Sequence, residues 1–262
     1  MKVWFVGAGP GDPGLLTLRG AEIISRAPVV LYAGSLVPRE VVARARPGAR
    51  VLDTAAMTLD EIVEEMRAAH ALDHDVARVH TGDPSLFGAI AEQARRLDAL
   101  GIEYDVVPGV SSFTAAAAAV RRELTLPGVA QAVILARAEG RTGVPEGQRL
   151  ADLARHRATM ALFLSAGLLE EAARDLAAAY GPTCPAVLVH RASWPDQRVI
   201  RATLADIAAR AREAGIDSTA IVLVGPALGE PAFEDSRLYD ASFAHGFRPA
   251  GAGSRSKEEP HG

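Results

Sequence analysis

The chain of 262 residues holds a single cysteine, Cys184, so no internal disulfide can brace it and a reducing compartment is expected. Aromatic residues make up 5% of it, and no apolar run approaches the ~20 residues needed to cross a bilayer. The alanine-rich stretch 115–119 is too short for a span and is followed by Arg121 and Arg122. A net charge of −4 provides no basic field to gather nucleic acid, so no nucleic-acid or membrane partner is expected. The N-terminus enters a strand-like run at once, so no signal peptide is expected, and with the lone cysteine a cytoplasmic location is the expectation. Catalytic signatures are missing too. There is no G-x-S-x-G elbow for a serine hydrolase and no lysine after the first loop for nucleotide phosphates. His70 and His74 stand four apart on a helical stretch, but without the Glu of H-E-x-x-H or a third ligand they read as surface histidines, and no metal is expected.

What the sequence does contain begins with the loop Gly7-Ala8-Gly9-Pro10-Gly11-Asp12-Pro13-Gly14. It follows the apolar run 3–6 and precedes Leu15, Leu16, Leu18, Ala21 and Ile24, spaced as one helix face. Gly9, Gly11 and Gly14 satisfy G-x-G-x-x-G, the dinucleotide fingerprint of a nucleotide-dependent oxidoreductase. Pro10 and Pro13 argue against that reading, because proline has no N–H to offer a phosphate. The second strand-like run also leads into Ala33-Gly34-Ser35, with no acidic residue for a ribose hydroxyl. A plain tight turn, with Pro13 at a first helical position, remains compatible with any function.

Strand-like runs at 3–6, 29–32, 50–53, 76–80 and 104–107 alternate with helical stretches at 59–69 and 90–100. Such alternation predicts an α/β unit with a mainly parallel sheet and ligands at the carboxyl ends of its strands. Gly/Pro-rich turns gather at those ends: the first loop, then Thr81-Gly82-Asp83-Pro84-Ser85-Leu86-Phe87-Gly88, then Pro108-Gly109-Val110-Ser111-Ser112-Phe113. A second unit begins near Leu126-Pro127-Gly128. Its expected strands are 132–136, 160–164, 186–190, 199–203 and 220–224, with helices at 168–179 and 204–214. Trp194-Pro195-Asp196-Gln197 reads as a hairpin turn, which makes this second sheet mixed. The division is therefore 1–125, 126–230 and a tail, 231–262, whose Gly/Ser/charge-rich end at 251–262 is expected to be disordered.

Two readings fit Asp83: an acceptor for a ribose or amine of a ligand, or an Asx-type anchor of its own loop. His80 and His190 end strands and read as structural histidines. Arg137, Glu139, Arg141 and Thr142 lie in a polar loop; with Arg191 the arginines offer forks for carboxylates, or else the loop is simply solvated.

Four stretches together resemble a known family, the tetrapyrrole methylases, two-domain S-adenosylmethionine-dependent enzymes of sirohaem and cobalamin synthesis. They are Val6 through Pro13, Thr81-Gly82-Asp83-Pro84, Pro108-Gly109-Val110-Ser111-Ser112 and Ala192-Ser193-Trp194-Pro195-Asp196-Gln197, and they span the chain to about Leu228. Within the family, Leu31 through Val37, Arg78 through Pro84, Ala138 through Thr142 and a tail from Leu238-Tyr239-Asp240 to Phe247-Arg248 are similar to the branch that serves cobalamin synthesis. Some relatives carry Asp at or near position 34, where this chain has Gly34. The resemblance implies two α/β domains, a homodimer, and S-adenosylmethionine folded into the cleft between the domains. By carry-over, Pro10, Gly82, Asp83, Leu86, Ser111 and Ser112 line the cofactor site from the first domain. Leu164, Ala192, Pro226 and Ala227 line it from the second. A tetrapyrrole with acetate and propionate arms then lies near Ser35, with Arg137, Arg141 and Arg191 to pair with the arms. No catalytic side chain is assigned, because alkylation of an electron-rich carbon mainly needs two reactants held in line and shielded from water.

Overall fold

The structure, a computed structural model, describes residues 1–233 together with 235, 236, 240, 243, 244 and 246. Most of the tail 231–262, including 251–262 and the positions of Leu238, Tyr239, Phe247 and Arg248, lies outside the described residues.

In the first lobe β1 (Val3–Gly7), β2 (Val29–Tyr32), β3 (Arg50–Asp53), β4 (Val76–His80) and β5 (Tyr104–Val107) form one sheet in the order β3-β2-β4-β1-β5. Every pairing in it is parallel. Period-two alternation divides its strands between two apolar layers. Val6, Val30, Ala77 and Val79 pack under α1 (Leu18–Arg26) and α2 (Arg39–Val42). Val3, Phe5, Val29, Leu31 and Val76 pack under α3 (Leu59–Ala71) and α4 (Ala91–Ala99). Burying each such side chain is worth about 1.5–3 kcal/mol. Local signals fix where helices start. Thr58 caps α3 in a reciprocal box with Glu61, and Thr17 caps α1 through Gly20 N–H.

The second lobe contains α5 (Ser112–Val120), α6 (Leu150–Leu153), α7 (Leu169–Tyr180) and α8 (Ile207–Glu213). Its strands are β6 (Val133–Arg137), β7 (Thr159–Phe163), β8 (Pro185–His190), β9 (Arg198–Thr203) and β10 (Ala220–Val224), in the order β6-β7-β10-β8-β9. Only β6 and β7 run parallel; β10 is antiparallel to β7 and β8, and β8 to β9. The chain is thus two α/β units, one parallel and one mixed, as expected, and each expected strand appears within one residue of its bounds. The alanine run 115–119, weighed above only as a membrane span, is the middle of α5. That helix precedes the division at 125, yet Ala115, Ala116 and Val120 pack on Ala161, Val187, Val189, Ile221 and Leu223 of the second sheet. The opposite face of that sheet is covered by α6, α7 and α8.

Candidate functional site

Because β4, β1 and β5 are neighbours and parallel, the loops that follow them stand side by side at one edge. They are stitched by backbone. Gly82 N–H donates to Gly9 O at 2.8 Å and Gly9 N–H to Gly82 O at 3.3 Å. Gly109 sits so close that a Cβ there would stand 2.1 Å from Gly82 O and 2.8 Å from Gly7 Cα. Asp83 completes the stitching: Oδ1 accepts Ser85 N–H at 2.8 Å and Oδ2 accepts Gly109 N–H at 3.0 Å. The anchoring role is therefore present in the structure, and Asp83 also lines the cavity described below, where its remaining lone pairs are open to a ligand.

The first loop is a poor phosphate cradle for a second reason besides its prolines. Most of its N–H groups are committed. Ala8 donates to His80 O, Asp12 to Ser193 Oγ, Gly14 to Asp12 Oδ1, Leu15 to Asp12 O and Leu16 to Pro13 O. An anion at a loop or helix start needs free N–H groups converging on it, and these donors already have partners within the protein.

Between the lobes lies a cavity of about 370 Å³. Eight of the ten residues carried over for the cofactor line it: Pro10, Gly82, Asp83, Leu86, Ser111, Ser112, Leu164 and Ala192; Arg191 lines it too. Ser111 is the N-cap of α5 but makes no capping hydrogen bond, which leaves its hydroxyl for a ligand. Pro226 and Ala227 do not line the cavity. They follow the end of β10, and β10 runs against β7 and β8, so its end lies beside their starts: Gly225 N–H bonds Pro185 O, and Val224 pairs with Met160 and Ala186. The start of β10 faces the cavity instead, through Thr219, Ala220 and Ile221. Sequence reasoning missed these; the hairpin turn after β8, which fixes strand direction, was the available signal. It also missed Phe87 and Phe163, whose rings meet across the cleft with centroids 4.9 Å apart. Four residues of the wall hold left-handed backbone: Phe87 (φ 54°), Leu164 (51°), Arg191 (50°) and Thr219 (50°). Side chains other than glycine are strained there, and such strain gathers where a site over-determines the chain.

Of the residues carried over for the tetrapyrrole, Arg191 lines the cavity and Ser35, Arg137 and Arg141 do not. Ser35 is exposed on a turn whose next residue, Leu36, lines the cavity. At Gly34 a Cβ would fall 2.0 Å from Asp53 Oδ2, because Asp53 Oδ1 receives the N–H groups of Gly34 and Ala55. Arg137 is not a free fork: it donates to the carbonyls of Ala138, Thr142 and Gly143 and so shapes its own loop. Arg141, on that loop, is exposed and lies outside the cavity lining. Arg191 stacks on Trp194 and meets Asp196 Oδ2 at 2.8 Å.

Under the first lobe's ligand edge lies a buried polar cluster. Arg78 Nε donates to Gln93 Oε1 and its NH1 to Thr54 Oγ1, with no carboxylate partner among the described residues; burial lowers the guanidinium to about 10. His80 is pushed down to about 3, chiefly by burial and secondly by the charge of Arg78. His190, half-buried, is lowered in the same direction by burial and by Arg198 and Arg191. Both histidines are thereby kept neutral, as structural residues are. His70 lies against the Met1 thioether, and no three His, Cys, Asp or Glu side chains gather as a metal site among the described residues. No helix among those residues is long and apolar enough to cross a membrane.

The chain matches the family model of the tetrapyrrole (corrin/porphyrin) methylases over residues 2–208. It is 49% identical over 249 residues to a precorrin-4 C(11)-methyltransferase of Pseudomonas aeruginosa, covering 95% of this chain and 99% of the relative. The solved structure of a cobalt-precorrin-4 methyltransferase of cobalamin biosynthesis superposes with a TM-score of 0.85 and 46% identity, over 87% of this chain and 96% of that one. A uroporphyrin-III C-methyltransferase of Thermus thermophilus, solved in complex with S-adenosyl homocysteine, superposes with a TM-score of 0.71 and 31% identity, over 87% and 99%.

Proposed function

The chain belongs to the tetrapyrrole methylase family, and from that premise we propose that it transfers the methyl group of S-adenosylmethionine to C11 of precorrin-4, forming precorrin-5 on the route to cobalamin. The observation that carries the reading is the end-to-end likeness to the Pseudomonas precorrin-4 enzyme. The stretches 31–37, 78–84 and 138–142 point the same way.

The inter-lobe cavity fits the cofactor in chemistry. S-adenosylmethionine is a cation without phosphates, and the committed N–H groups of the first loop suit it better than a dinucleotide. Leu86, Phe163, Val189 and Ile221 provide apolar wall for a nucleoside, while Asp83, Ser111 and Ser112 provide acceptors and hydroxyls for its polar edge. When bound, the sulfonium supplies an activated methyl group. What the chain's residues do is hold and shield. The stitched glycine loops fix one wall, Phe87 and Phe163 close the cleft from either lobe, and both exclude water. Arg141 and Arg191 receive the acidic arms of the ring, each desolvated contact being worth roughly 1.5–3 kcal/mol, and Ser35 borders the ring. Arg137 contributes by holding the loop that carries Arg141. No side chain is needed as nucleophile, and among the described residues none in the cavity is hydrogen-bonded to a histidine as a nucleophile and base would be.

A homodimer and a cytoplasmic location belong to the same proposal. The likeness to the cobalt-precorrin-4 enzyme favours one second reading, in which cobalt is already in the ring. Incubation with methyl-labelled S-adenosylmethionine and either precorrin-4 or cobalt-precorrin-4, with the label located by NMR, separates the two. Label at C11 of the metal-free ring is the expected result; label only on the cobalt ring selects the second reading, and no transfer to either removes both. Light scattering of the same sample tests the dimer.

A further inference from the structure

The turn between β8 and β9 fastens the first loop to the second lobe. Trp194 Nε1–H donates to Pro10 O at 2.9 Å, and Asp12 N–H donates to Ser193 Oγ at 2.9 Å. Gly11 lies against the indole so closely that a Cβ would stand 2.2 Å from both Cδ1 and Nε1 of Trp194. The turn is braced for this contact. The Arg191 guanidinium stacks 4.3 Å from the indole centroid and is tied to Asp196, and Gln197 Oε1 accepts Ser193 N–H at 2.8 Å. Arg191 and Ser193 hold φ of 50° and 69°, a strained conformation for both. Pro10 and Trp194 also line the cavity from opposite lobes, so the bond between them runs along the cavity wall.

We propose that Trp194 is a positioning residue for the methyl donor: by latching Pro10 and Gly11 to the second lobe it sets the width of the cofactor cavity. This rests on the cofactor reading above. One wall of the cavity belongs to the first loop, and a loop free to drift has to be ordered again on every binding event. The indole N–H, the Ser193 hydroxyl and the bare Cα of Gly11 remove that freedom before a ligand arrives. Gly11 therefore serves by lacking a side chain where the ring must sit, and not by a phosphate contact.

Two variants break the latch from opposite sides. Trp194→Phe keeps an aromatic ring and deletes the donor; Gly11→Ala pushes the ring away from the loop. Adenosylhomocysteine affinity is measured by titration calorimetry, with the unfolding temperature of each sample and the KM and kcat for S-adenosylmethionine alongside. Each variant is expected to bind roughly three- to tenfold more weakly, the range set by losing one net hydrogen bond. KM should rise in step while kcat at saturating cofactor stays within about twofold. The double variant should bind no more weakly than the worse single one, because both remove the same contact. Unchanged affinity with a lowered unfolding temperature overturns the proposal in favour of a purely structural tryptophan, and affinity losses that multiply overturn it as well. Should Trp194→Phe fail to fold, Ser193→Ala cuts the other tether and is expected to weaken binding by about two- to fivefold; no change there overturns the latch. A wild-type protein that takes up no adenosylhomocysteine defeats the cofactor reading itself, and the latch with it.

Discussion

Each lobe carries five strands, but they build their shares of the cleft by opposite rules. In the first, every strand runs the same way, so carboxyl-terminal loops alone make its edge of the cavity; two of them are joined backbone to backbone and the third is tied in through the Asp83 carboxylate. In the second, the edge alternates: β7 and β8 arrive at it and β10 departs from it. A residue at the end of β10 is as far from the cavity as one at the start of β7. The rule that ligands sit at strand ends holds for parallel sheets, and the direction of each strand has to be known before it is used elsewhere.

The largest expected effect tests how tightly the first edge is closed. Gly109→Ala should destabilise the protein by more than ~3 kcal/mol or prevent folding, because its Cβ would meet the backbone oxygen of Gly82 at 2.1 Å. Gly167→Ala, at the second lobe's edge and 3.3 Å from Asp217 O, should stay within ~1 kcal/mol. Thermal unfolding of the pair decides it, and equal losses would erase the contrast between stitched and unstitched edges. Next, Asp83→Ala releases two N–H groups, Ser85 and Gly109, and should weaken adenosylhomocysteine binding roughly tenfold or more, with Asp83→Asn in between. Titration calorimetry showing full affinity in Asp83→Ala would leave the carboxylate no role in the site.

The third test addresses strand direction. Ala166→Phe fills the cavity from the second lobe and should cut affinity by about tenfold, whereas Pro226→Ala, at the far edge, should change it by less than about twofold. The reverse order would restore the end of β10 to the site. The last test, on stability rather than affinity, compares the two histidines that end strands. His80 stays neutral when folded, with its value pushed from 6.5 to about 3. The unfolded chain takes up a proton over that interval that the folded chain refuses. Stability is therefore full well above pH 6.5 and falls as the pH drops toward 3, by roughly 1.6 kcal/mol between 6.5 and 5. Urea midpoints of His80→Gln should fall less than those of the wild type between pH 7 and 5, and His190→Gln should alter that slope less.

Strand positions were legible because alternation of apolar residues with Gly/Pro punctuation is a local signal, and β2, β3, β4, β5 and β10 fell on their expected bounds. The first-lobe turns that line the cavity were legible for the same reason: a parallel sheet needs no knowledge of direction. Thr219, Ala220 and Ile221 were not, because their place depends on pairing between β10 and strands more than thirty residues earlier. Arg137 offered a fork in the sequence, but three carbonyls of its own loop, two of them five or six residues on, claim it. The latch was hidden too. Trp194 was part of a motif, but its hydrogen bond to Pro10 crosses 184 positions.

The alanines of α5 lie on the second sheet although the helix leaves directly from the first lobe's ligand loop. For anyone building chimaeras between such enzymes, this makes the linker after Val120 the wrong seam: a donor unit joined there would arrive with one sheet face bare. The crossover belongs ahead of Ser111, so that helix and sheet travel as one piece.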